Sequence, residues 1–114
     1  MSRIVITIEG IILTAELYET ETAKAVDRLL PIKGTASLWG EEVYFTIPLR
    51  MGLHADAREE VDPGELGYWP EGPAFCIFFG RTPVSVSEKP RAYSPVNVFG
   101  RILGDPAEIG RAHV

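Results

Sequence analysis

Apolar positions recur along the chain at two different periods. Ile4, Ile6 and Ile8 alternate with Arg3, Val5, Thr7 and Glu9, and after Glu9-Gly10 the residues Leu13, Ala15 and Leu17 alternate with Thr14 and Glu16. A period of two marks a strand with one covered face. Glu9-Gly10 suits a two-residue hairpin turn, because glycine takes positive φ without steric cost. From Glu19 to Leu30 the period lengthens: Ala23, Val26, Leu29 and Leu30 share one helical stripe, while Lys24, Asp27 and Arg28 face away. Thr20 or Thr22 can cap this helix (about 21–30), Glu19 and Glu21 suit the positive end of its dipole, and Pro31 stops it.

The most apolar stretch, Ala74 to Phe79, is bounded by Gly72-Pro73 and Gly80. So short a run reads as a strand covered on both faces. Phe75, Ile77 and Phe79 point one way and Ala74, Cys76 and Phe78 the other, so a layer must pack on each side. Shorter strands are expected at Thr35 to Trp39, Glu42 to Leu49, Leu66 to Trp69 and Val96 to Leu103. Arg50 to Pro63 has no clean period, and residues 81–95, with Pro83, Pro90 and Pro95, read as a long loop. Asp105-Pro106-Ala107-Glu108 has the cap, first-turn proline and acid of a helix start, predicting a short C-terminal helix at about 106–110. The pattern totals about eight short strands in a meander with no βαβ rhythm, which predicts antiparallel pairing. Closure into a small eight-stranded antiparallel barrel would remove the exposed edges.

Composition narrows the class. With 114 residues and 46% apolar content, the chain suits one domain with one core. A net charge of −5, with its 11 basic residues scattered, argues against a nucleic-acid partner. No segment approaches the roughly 18 apolar residues of a membrane span, and the first residues alternate rather than forming a leader's apolar core. The single cysteine, Cys76, lies in the most apolar segment and reads as a buried thiol. A cytoplasmic location follows as an expectation.

Several segments together resemble the small prokaryotic family with a cyclophilin-like fold. They are Glu16 to Ala25, Trp39-Gly40-Glu41-Glu42-Val43-Tyr44-Phe45, Gly67-Tyr68-Trp69-Pro70, Phe75 to Pro83, and Ser94-Pro95-Val96-Asn97-Val98-Phe99-Gly100-Arg101. The resemblance implies a closed eight-stranded antiparallel barrel over residues 1–114, with helices at its ends. True cyclophilins isomerise Xaa-Pro bonds and carry an arginine followed by Phe-Met-x-Gln-Gly-Gly. The comparable stretch here, Tyr44 to Gly52, holds Arg50 and Met51 but no Gln-Gly-Gly.

Candidate chemistry is sparse. His54 and His113 are the only imidazoles. His54-x-Asp56 near Glu59 and Glu60 lacks the spacing of a metal site, and Ser94, His54 and Asp56 lack a nucleophile elbow. No cofactor or catalytic residue is assigned. The remaining grouping is aromatic and cationic: Trp39, Tyr44, Trp69 and Phe78 as apolar walls, Arg50 or Arg81 for a carboxylate, and Asn97 for orientation. The expectation is a cleft for a small anionic metabolite or a peptide. Divergent prolyl isomerisation and a structural self-association role, a dimer being the commonest form, are the alternatives. Residues 50–63 are a candidate lid.

Overall fold

A computed structural model describes residues 2–111 of the chain; His113 lies outside the described residues. The elements are β1 (Arg3–Ile8), β2 (Ile11–Leu17), α1 (Glu21–Leu29), β3 (Ser37–Trp39), β4 (Glu42–Thr46), β5 (Arg58–Glu60), β6 (Glu65–Trp69), β7 (Ala74–Phe78), β8 (Arg91–Leu103) and α2 (Ala107–Arg111). Hairpins join β1 to β2, β3 to β4 and β6 to β7, and every ladder is antiparallel. The first hairpin turns at Glu9-Gly10, where both residues have positive φ (46° and 83°), with Ile8 opposite Ile11. That is the conformation a right-twisted two-residue hairpin requires.

The sheet is open, which corrects the expected closed barrel. Its strand order is β1-β2-β8-β6-β7-β4-β3, with β5 paired to β8 outside this path. β8 inserts between β2 and β6, so the order is not a simple meander either. The outer strands β1 and β3 do not pair. Residues 31–36, which lead into β3, join no ladder. Pro31 has no N–H to donate, Ile32 packs into the core instead, and Gly34 lies so close to Phe45 that a Cβ there would come 2.8 Å from the ring. Between this coil and β1 the seam stays open as a pocket of about 620 Å³, lined by Ile4 to Glu9, Ile32 to Ala36, Val43, Phe45 and Phe75.

Two apolar layers flank the sheet, as the two-sided β7 requires. Phe75 and Ile77 join Leu13, Ala15, Leu17, Tyr68, Phe99 and the buried Ala23 and Val26 of α1 in the main core. Thr20 caps α1 by accepting the Ala23 N–H at 3.0 Å. Ala74, Cys76 and Phe78 form a second layer with Val61, Ala92 and Val96. Gly67 is what lets this layer close: an added Cβ would sit 2.8 Å from Val96 Cγ2 and 3.2 Å from the Phe78 ring. α2 packs Ile109 into the main core, and Asp105 Oδ1 accepts the Ala107 N–H at 3.0 Å.

The expected loop at 81–95 is also corrected. Its last residues, from Arg91, belong to β8, and β5 forms within the segment that had no period. Pairing passes from Arg58↔Val96 to Glu60↔Arg91, so two steps along β5 face five along β8. The surplus, which contains Pro95, bulges from the ladder, one of the few places a strand tolerates proline. This bulge shapes the site described next.

Candidate functional site

The second apolar layer is incomplete at one end, and there the surface opens into a pocket of about 230 Å³. Phase along the strands determines what lines it. On β4, Glu42 and Tyr44 point to this face while Val43 enters the main core. Tyr44 lies opposite Cys76 of β7, and Trp39 of β3 lies opposite Glu42. Trp69 ends β6 at the same rim, and Ala92 and Val96 form the wall from β8. The bulge brings Tyr93 across the opening. It is 69% exposed, and it stands edge-on to Trp39 (centroids 6.2 Å apart, planes at 75°) and to Trp69 (6.3 Å, 80°). Beside it, Ser94 Oγ accepts the Trp69 indole N–H at 2.6 Å and donates to Glu71 Oε2, so the indole is held by a polar relay outside the pocket.

Four aromatic rings thus surround one carboxyl group. Glu42 is 6% exposed, and among the described residues it takes part in none of the ion pairs. Burial pushes its carboxyl up from 4.5 to about 7, opposed by the neighbouring Cys76 thiol, a donor to the ionised form. The same burial, with the Glu42 carboxylate alongside, drives the Cys76 thiol well above its ordinary range. That thiol is packed away and unsuited to nucleophilic chemistry.

A second buried glutamate shows how unusual this is. Glu65 is 5% exposed, but it accepts from Arg58 (3.0 and 3.1 Å), from the Tyr18 hydroxyl (2.9 Å) and from the Asp62 amide (2.8 Å). Burial and then the hydrogen bond to Glu65 raise the Tyr18 phenol to about 12. Glu65 is a satisfied structural carboxylate that ties the Asp62-Pro63-Gly64 turn to β6. Glu42 has no such set of partners.

Of the residues singled out from sequence, Trp39, Tyr44 and Trp69 come together here. Phe78 lies fully buried in the layer beneath. Arg50 lines a separate open pocket of about 720 Å³ with Ile47, Leu49 and Pro73, and Arg81 is exposed; neither lines the aromatic pocket. Asn97 is buried with both ends of its amide used: Oδ1 accepts the His54 N–H at 2.8 Å and Nδ2 donates to the Gly52 carbonyl at 3.0 Å. It thereby ties down the segment considered as a lid, which the Tyr68 hydroxyl also holds through the Leu49 carbonyl at 2.6 Å. Ser94 bonds Trp69 and Glu71 rather than His54. Among the described residues no group of three His, Cys, Asp or Glu side chains is placed to hold a metal ion, and no helix is long and apolar enough to cross a membrane.

Sequence reasoning missed Glu42 and Tyr93. A signal for Glu42 was present, since an acid in phase with Tyr44 faces apolar Cys76 and Phe78 once β4 pairs with β7. Tyr93 had no such signal, because its position depends on the bulge.

An open eight-stranded antiparallel sheet with an apolar layer on each face, α1 packed on one and an aromatic pocket on the other, defines a class. The cyclophilin-like family model matches residues 2–113, and the chain belongs to that family. It is similar to the hypothetical protein AF2241 from Archaeoglobus fulgidus, known from a solution structure: the two are 42% identical, with a TM-score of 0.73 over 89% of this chain and 79% of that one. A search of curated proteins found no match.

Proposed function

We propose that this cyclophilin-like domain binds a small molecule or a peptide side chain, and that the binding site is the aromatic pocket over Glu42. One observation carries the reading: a buried carboxyl, without the partners that satisfy Glu65, lies among Trp39, Tyr44, Trp69 and Tyr93. Burying such a group costs free energy unless it is paired, and perturbed groups in clefts gather at functional sites. The volume is small beside the 300–1,000 Å³ of drug-sized pockets, so it suits a head group rather than an extended ligand. Because Arg50 and Arg81 lie elsewhere, the carboxylate-binding role expected of them has no support from the pocket lining. Prolyl isomerisation likewise gains none, because among the described residues none that lines the pocket offers a cationic donor to an amide nitrogen.

The reading is tested by a small-fragment screen followed by amide and indole NMR shifts. Hits are expected to move the Trp39 and Trp69 indole signals together and to weaken in Trp69→Ala. Fragments that bind only away from these indoles, or none at all at millimolar concentration, would refute it.

A further inference from the structure

Resting on the proposed binding site, we infer that the group it takes is an organic ammonium, a small molecule's alkylated amine head, held between the aromatic rings and the Glu42 carboxylate. Three features favour a cation over a neutral apolar group. The walls are faces and edges of Trp39, Tyr44, Trp69 and Tyr93, and aromatic faces attract alkylated ammonium ions through the ring quadrupole. The floor carries a carboxyl that is nine-tenths buried and in no ion pair among the described residues. Among the described residues, the pocket lining contains no lysine, arginine or histidine, so an entering cation meets no like charge there. A purely apolar ligand would leave the carboxyl as unpaired as before, whereas an ammonium supplies the missing counter-charge.

The arrangement also makes binding depend on protonation. Facing the Glu42 carboxyl are the Cys76 thiol of β7, the Tyr44 phenol of β4 and the Tyr93 phenol of β8, while β3 and β6 present only the two indoles. Glu41, next in the chain, lies against Gly80. A cation prefers the ionised carboxylate, so it binds weakly when Glu42 is protonated and expels that proton as it enters. With the empty site titrating near 7, affinity should rise about 30-fold from pH 5.5 to pH 8 and level off above.

The experiment uses the full chain and three probes followed by tryptophan fluorescence: choline, its neutral isostere 3,3-dimethylbutan-1-ol, and the N-acetyl methylamide of trimethyl-lysine. At pH 8 choline should bind at least tenfold more tightly than the isostere, with the stated pH dependence. Comparison with the trimethyl-lysine amide tells a free head group from a peptide-borne one. Glu42→Gln should abolish both the preference and the pH dependence. Trp39→Leu, a second variant with the carboxyl intact, should weaken choline about tenfold and keep the pH dependence. If the isostere binds as well as choline, the ammonium inference fails while the pocket stands. If no probe binds at tens of millimolar, the ammonium inference fails, and the fragment screen alone decides the pocket.

Discussion

Replacing Glu42 by Gln should make the protein more stable at neutral and alkaline pH, and the gain should vanish in acid. The carboxyl titrates at about 7 in the folded chain against 4.5 in its ordinary state. Below 4.5 both folded and unfolded chains hold the proton, and the group costs nothing. As pH rises the unfolded chain releases it first, and stability falls until the folded carboxyl has ionised too, near 7. At about 1.4 kcal/mol per pH step the total loss is about 3 kcal/mol, a large share of a small domain's stability. With Glu42 so nearly buried, solvent screening reduces this little. Glutamine keeps the shape and has no charge to desolvate. Any penalty from its own amide shifts the whole curve and leaves the slope unchanged. The assay is urea unfolding of both proteins at intervals from pH 4 to pH 8. The stability difference should grow by about 3 kcal/mol across that range, moving the midpoint by more than about 1 M. A difference that stays flat would refute a buried carboxyl without a counter-charge, and with it the main argument for the site.

Other residues give separable outcomes. Asn97→Ala should cost about 1–3 kcal/mol by orphaning the Gly52 carbonyl and the His54 amide, and hydrogen exchange should quicken at His54 far more than in β7. Gly67→Ala should cost about 1–3 kcal/mol in urea unfolding, since its methyl would meet Val96 and Phe78 inside the second layer. Ser94→Ala should leave stability within about 1 kcal/mol of wild type but shift the Trp69 indole N–H resonance, because the hydroxyl is its acceptor.

What was legible from the chain was whatever its own local period dictates. The Glu9-Gly10 hairpin, α1 with its Thr20 cap, and the two-sided β7 each follow from neighbouring residues alone. β5 was not legible, because Arg58–Glu60 is polar and owes its extended form to pairing with β8. Pro95 looked like a chain breaker and in fact sits in a bulge. Barrel closure failed for a similar reason: counting strands does not say whether the outermost two meet, and here β1 and β3 do not pair. The candidate site divides along the same line. Trp39, Tyr44 and Trp69 drew notice by type and line one pocket, whereas the positions of Arg50 and Arg81 outside it depend on strand register that residue type does not reveal. Glu42 became visible only when the β4–β7 register set it opposite Phe78, with Tyr44 opposite Cys76, on the face that lines the pocket.

Whether Glu42 is the charge in an aromatic ligand pocket is decided by an NMR titration at pH 8 that follows the Glu42 carboxyl carbon and the two indole N–H signals as choline is added. All three should move together and saturate with a single affinity. A carboxyl carbon that stays still while choline is added, or indoles that respond without it, would contradict that role.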